Sequence, residues 1–232
     1  MQVAIMQPYF LPYIGYFQLI AAVDVFVVYD NIKYTKKGWI NRNRMLQNGK
    51  GAIFTLPLKN DSDFLNVCQR SLSSEFNRGK LLNQFKSFYR QAPYFYQTFG
   101  LIEEVVECPE NNLFEYLHHS IVKISAHLGI TTEIRKSSCI AIDHTLRNQD
   151  KVLALCEVIG ATTYINSIGG IDLYSKEEFQ HKGIVLKFFQ SKPYEYRQHG
   201  GEFVPWLSII DVMMFNSPDA LHSCLTTNYE LI

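Results

Sequence analysis

The segment from Val3 to Asn31 constrains the fold more than any other part of this chain. Val3-Ala4-Ile5-Met6 is a short apolar run stopped by Gln7-Pro8, the pattern of a buried strand. Pro8 and Pro12 fix the backbone and remove two donors, so Gln7–Tyr13 is a loop. Ile14, Phe17, Ile20 and Ala21 then share one face of a helix that runs to Val23. Asp24 breaks it, and Val25-Phe26-Val27-Val28-Tyr29 is a second apolar strand ending at Asp30-Asn31. Two buried strands joined through a helix lie parallel with a right-handed crossover.

The rest of the chain extends this pattern. An Asn48-Gly49 turn precedes a strand expected over Ala52–Pro57. Residues 74–128 are helical in spacing, with Leu81, Phe85 and Phe88 on one face and Leu113, Tyr116, Leu117 and Ile121 on another, and read as a helical insertion or subdomain. Thr132–Ile142 is strand-like, Asn148–Ile159 is a helix closed by Gly160, and Thr163–Asn166 is a strand. A short helix over Ser175–His181, a strand over Ile184–Phe189 and helical periodicity over Trp206–Phe215 complete the reading. The expected fold is a single α/β domain over 1–232: a mostly parallel sheet of βαβ units, laid out at its start like a nucleotidylyltransferase, with the helical insertion in the middle.

Composition excludes several classes. With 232 residues and 47% hydrophobic content, the chain buries a sizeable core. Lys plus Arg equals Asp plus Glu at 22 each, which argues against a duplex nucleic-acid binder. Cys68, Cys108, Cys139, Cys156 and Cys224 are odd in number and form no CxxC pair, so neither a zinc knuckle nor a disulfide framework is expected. No signal-peptide pattern opens the chain and no apolar run is long enough to span a membrane, so a cytoplasmic setting is expected. His118, His119 and His127 lack the spacing of metal ligands, and neither a metal nor a cofactor is expected.

Ligands of open parallel sheets lie beyond the carboxyl ends of the strands. Gln7 and Asp30 both leave such ends. Tyr13-Ile14-Gly15-Tyr16 has the position of the His-x-Gly-His signature of nucleotidylyltransferases and class I synthetases, with tyrosines where the histidines stand. Tyrosine hydrogen-bonds phosphate but carries no positive charge near neutral pH. Gly15 is expected to let a ligand approach the helix N-terminus, with Tyr13 and Tyr16 beside it. In "KYTKKGWINRNRML", an extended backbone puts Asn41 and Asn43 on one side and Arg42 and Arg44 on the other. The arginines are candidates to clamp a diphosphate near Lys37, and Trp39 to stack on a base or sugar. A solvated basic face is the plainer alternative. Ser167, Gly169 and Gly170 form another strand-end loop before Tyr174. Near the C-terminus, His199 and Asp211 are candidate bases. Ser208 and Asp211 also suit the first turn of a helix, a reading that needs no catalysis.

Met6-Gln7-Pro8-Tyr9-Phe10-Leu11-Pro12-Tyr13-Ile14-Gly15-Tyr16-Phe17, Gly38-Trp39-Ile40-Asn41-Arg42-Asn43 and the closing "FVPWLSIIDVMMFN" resemble the WbqC-like family over about residues 1 to 216. That resemblance implies a bacterial or archaeal protein of surface-polysaccharide and O-antigen biosynthesis, working on an amino sugar carried on a nucleotide. Two function classes follow. One is a transferase moving an acyl or aminoacyl group to a sugar amine, with Asp30, His199 or Asp211 as base and a charged transfer RNA as one candidate donor, docked along Lys33–Arg44. The other is a non-catalytic nucleotide-binding or scaffolding protein of the same pathway.

Overall fold

Strand β1 (Gln2–Met6), helix α1 (Ile14–Ala21) and strand β2 (Val25–Val28) form the expected crossover, and β1 pairs β2 in parallel with Val3 opposite Val25 and Met6 opposite Val28. The computed structural model describes residues 1–232. Helices α2 (Arg78–Tyr89), α3 (Phe95–Val106) and α4 (Leu113–His127) make up the middle of the chain. Strand β5 (Glu133–Lys136), helix α5 (Asn148–Ile159), strand β6 (Thr163–Ser167), helix α6 (Lys176–His181) and strand β7 (Val185–Ser191) continue the alternation. Helices α7 (Ile209–Phe215) and α8 (Pro218–Thr227) lead into strand β8 (Tyr229–Leu231). The hairpin of β3 (Arg42–Gln47) and β4 (Lys50–Thr55) is a separate sheet, turned at Asn48 and Gly49 with φ of 50° and 71°.

The main sheet has the order β5-β2-β1-β6-β7-β8, parallel except for β8. Strand order therefore reverses between β1 and β6, the switch point where open α/β sheets place their crevice. Those two strands pair only at Gln2–Thr163 and Val3–Tyr164, whereas β6 and β7 stay in register from Thr163–Val185 to Ser167–Phe189. Beyond Val3 the ladder between β1 and β6 lapses toward their carboxyl ends.

The pleat divides the core. Ala4, Phe26, Val28, Ile165 and Phe189 belong to a cluster that takes in α1 to α4, α7 and α8. Val3, Ile5, Val25, Val27, Tyr164 and Phe188 face a smaller cluster with α5 and α6. The first layer is thick, so α1 is buried from Ile14 to Ile20 rather than along one stripe. Its Gln18 is sealed inside, donating to the carbonyls of Cys224 and Asn228.

Several boundaries move. Strand β4 begins at Lys50, two residues ahead of the expected Ala52, because Gly49 ends the turn there. Only Glu133–Lys136 of the strand-like Thr132–Ile142 is extended, and Ser137–Cys139 turns away to meet Asp30. The helix expected from Trp206 starts at Ile209, since Trp206 is left-handed with φ of 58° and Ser208 is the cap. Helix α8, capped by Ser217 with Pro218 in its first turn, and strand β8 lie beyond the expected elements. No helix is long and apolar enough to cross a membrane.

Candidate functional site

Three places beyond the carboxyl ends of the strands gather polar or aromatic side chains. The first is an aromatic cleft of about 200 Å³ lined by Tyr9, Pro12, Tyr13, Trp39, Asn43, Arg44 and Trp206. Both tryptophans of the chain stand in it, 44% and 49% exposed, values unusual for a side chain with so much apolar area. Tyr13 meets Trp206 edge-on, with centroids 5.8 Å apart at 73°. The Arg42 and Arg44 guanidiniums lie 5.7 and 5.8 Å from the Trp39 ring. Arg44 Nη2 donates to the Trp206 carbonyl at 3.1 Å, and its Nε is buried without a partner.

Two left-handed non-glycine residues frame this cleft, Leu11 at φ 46° and Trp206 at φ 58°. Such strain persists only where its surroundings over-determine it, and it concentrates at functional sites. The surroundings are visible. Asn43 Nδ2 donates to the carbonyls of Phe10 and Leu11, Ser208 Oγ donates to Leu11, and Ile209 N donates to the Pro12 carbonyl. Ser208 N in turn donates to the Arg44 carbonyl, so the start of α7 bolts the Gln7–Tyr13 loop to the hairpin.

The expected binding residues separate on this geometry. Tyr13, Trp39, Asn43 and Arg44 line the cleft. Arg42 does not pair with Arg44 as a clamp, because it spends Nε and Nη2 on the carbonyls of Gly38 and Lys37 in its own loop. Asn41 is buried, donating to Leu56 O and accepting from Tyr34, so it holds the hairpin. Lys37 is exposed on the turn. Tyr16 is buried and donates to the Gln7 carbonyl. Gly15 serves Tyr13 rather than a ligand: a Cβ there would lie 2.3 Å from the Tyr13 ring, which folds over the helix N-terminus.

The second place surrounds Asp30. Its Oδ1 accepts from Ser137 Oγ at 2.6 Å and Ser138 N at 2.9 Å, while Oδ2 has no hydrogen-bond partner. Burial raises its pKa, but these donors outweigh burial and hold the carboxyl below its usual range. Asn31 Oδ1 accepts from Ser137 and from Lys151 Nζ at 3.1 Å. Lys151, on α5, is buried without an ion pair, lies over the Tyr29 ring at 5.1 Å, and has its pKa lowered by desolvation.

The third place is the gap between β1 and β6. Gln7 follows β1, and the alternation of Val3 and Ile5 puts it on the α5 face with Tyr29, Asn166 and Tyr174. Gly170 packs on the Asn166 amide, where a Cβ would meet Nδ2 at 2.2 Å. Ser167 ends β6 and Gly169 is exposed in the turn that follows.

Asp211 stands apart from all three. It is fully buried, and accepts from Tyr89 at 3.0 Å, Tyr196 at 2.6 Å and Gln198 at 2.8 Å. With both oxygens bonded and no exposure it lacks access to a reacting group, and it acts as a clasp instead. Gln198 also brackets Val204 through both its N–H and carbonyl, which fixes the strap leading to Trp206. His199 is exposed against Phe215 and the Phe88 carbonyl. The three candidate bases therefore do not converge. No three His, Cys, Asp or Glu side chains gather as a metal would need. A hollow of about 400 Å³ beside edge strand β5 is lined by Arg135 and Lys136, whose charges are already paired with Glu133 and Glu115.

The model of the WbqC-like protein family matches residues 7–223. The chain belongs to the WbqC-like family. An uncharacterized protein of Mycobacterium tuberculosis is 29% identical over 232 residues, covering 96% of this chain and 98% of the relative. No solved structure matches. The WbqC-like match spans the aromatic loop, the hairpin and α7, which are the elements bolted together around the cleft.

Sequence reasoning missed Tyr29, Lys151 and Asn166, and did not place Trp206 in the cleft. Asn166 had a usable signal, a polar residue closing the apolar run Tyr164-Ile165. Lys151 had none, since it sits on an ordinary helix and only the packing of α5 aims it at Asn31.

Proposed function

We propose that this WbqC-like protein is a transferase of surface-polysaccharide biosynthesis that acts on a nucleotide-linked amino sugar, moving an acyl or aminoacyl group to the sugar amine. The observation that carries this reading is the meeting of Trp39, Trp206, Tyr13 and Arg44 in one cleft. Exposed aromatic rings give flat apolar surface to a sugar or a base, and a guanidinium beside them suits a phosphate oxygen. Asp30 lies outside that cleft, and its unbonded Oδ2 makes it the candidate partner for the amine. Its lowered pKa makes it a weak proton acceptor, so its part is to accept a hydrogen bond from the neutral amine and orient its lone pair.

A small acyl donor fits better than a charged transfer RNA. Lys36 is paired with Asp63, Lys33 lies over Phe64, and Arg42 is bonded to its own loop, so the basic run offers few free cations. A binding protein without catalysis is the second reading, favoured by the Tyr13 ring covering the N-terminus of α1.

Thermal shift against a panel of nucleotide sugars tests the first reading. A ligand at 100 times its dissociation constant adds about 2.7 kcal/mol. A shift that disappears in Arg44→Ala supports the reading, and no shift with any nucleotide sugar overturns it. Asp30→Asn separates the two classes: a transferase loses turnover while still binding, and a binding protein shows no turnover in either form.

A further inference from the structure

We propose that the gap between β1 and β6 is a nucleoside-binding site in which Asn166 and Gln7 read the edge of the base between the Tyr29 and Tyr174 rings. The site lies at the switch point of the sheet, where the ladder between the two strands extends only as far as Val3 and Tyr164. Asn166 is only 6% exposed and its amide makes no hydrogen bond within the chain, yet the amide atoms are not sealed from solvent. An amide that only water can pair is open to the polar edge of a ligand. The backbone makes room for it: a side chain at position 170 would strike Asn166 Nδ2, and only glycine leaves the amide where it is.

The neighbours share its condition. The Gln7 side chain and the Tyr29 hydroxyl make no hydrogen bonds within the chain either, and the Tyr29 and Tyr174 rings pack at the rim of the α5-side cluster. Burial pushes the Tyr29 hydroxyl up to about 12, so it remains a donor at any working pH. An amide offers one donor and one acceptor side by side, the pattern a base edge demands, and flat rings suit a flat heterocycle. Lys151 Nζ, over the Tyr29 ring, has one N–H left after its two bonds to Asn31, placed for a phosphate oxygen.

This site is distinct from the aromatic cleft. Gln7 and Tyr9 flank the buried Pro8, Gln7 facing the gap and Tyr9 lining the cleft. Resting on the reading above, the inference puts the nucleoside end of the nucleotide sugar in the gap and the sugar end in the cleft.

Titration calorimetry with UMP, CMP, AMP and GMP tests it on the full chain. At least one should bind, and Asn166→Leu, which keeps the branching but removes both polar ends, should weaken it by about tenfold or more. Asn166→Asp keeps the shape but turns the donor into an acceptor, so preference should move from uracil, which presents O4, toward cytosine, which presents an N4 donor. Unchanged binding in Asn166→Leu overturns the inference. So does loss in Arg44→Ala with Asn166→Leu unaffected, which would put the base in the aromatic cleft and leave the transferase reading standing. Absence of binding by all four, with nucleotide sugars also silent, defeats both.

Discussion

Trp206 and Tyr13 meet edge to face at 5.8 Å, although they come from opposite ends of the chain. Trp206 reaches that position in a left-handed backbone conformation, with its carbonyl held by Arg44. Trp206→Gly relieves about 1 kcal/mol of backbone strain and removes a half-exposed ring, so stability should change by no more than about 1 kcal/mol. Binding of a nucleotide sugar should fall about tenfold. Urea melts beside a binding titration read both, and a large loss of stability with intact binding would make Trp206 a packing residue.

Gly15→Ala tests what the helix N-terminus is for. Alanine favours the helix by about 1 kcal/mol over glycine. The added Cβ would lie 2.3 Å from the Tyr13 ring and must push it aside. The expected outcome is a melting temperature near that of the wild type and weaker ligand binding, measured by thermal shift with and without ligand. Unimpaired binding would remove Tyr13 from the site.

Trp39 and Trp206 are the chain's only tryptophans and both line the cleft, so selectively excited tryptophan emission reports on it alone. A ligand of the cleft should change the emission, and Arg44→Ala, which also alters the apo spectrum because the guanidinium lies beside Trp39, should abolish the ligand-dependent change. Binding proven by calorimetry without any change in emission would place the ligand elsewhere.

Asp30 has a lowered pKa in the fold. Its contribution to stability is present above the unfolded pKa and is lost as pH falls through the folded one. Asp30→Asn should therefore cost about 1–2 kcal/mol at neutral pH, and the deficit should shrink below about pH 4. Denaturant melts from neutral to acid pH measure it, and a deficit constant with pH would contradict the assignment.

Asp211 carries the opposite sign, because burial raises its pKa above that of the unfolded chain. Its contribution is fully present below the unfolded pKa and lost as pH rises through the folded value. Asparagine cannot satisfy three donors, so Asp211→Asn should cost about 1–3 kcal/mol. The margin of the wild type over this variant should widen in acid, where the margin over Asp30→Asn narrows. Weaker ligand binding in Asp211→Asn, through the Gln198–Val204 bracket to Trp206, completes the expectation.

The sequence by itself determined the crossover of β1, α1 and β2, the helix ended by Gly160, the Asn48-Gly49 hairpin turn and the alternation that buries Asn41 and Asn43. Each depends on local sterics and on the spacing of apolar residues, which a few neighbouring positions fix. Tertiary structure decided the site. Arg42 and Arg44 read alike in the chain, yet one is bonded to its own loop and the other faces Trp206. Asp30 and Asp211 read alike as candidate bases, yet Ser137 and Ser138 hold one ionised with an open oxygen while Tyr89, Tyr196 and Gln198 enclose the other. These partners lie far from them along the chain and meet only once the core has packed, and the field at a charged group is set by those partners.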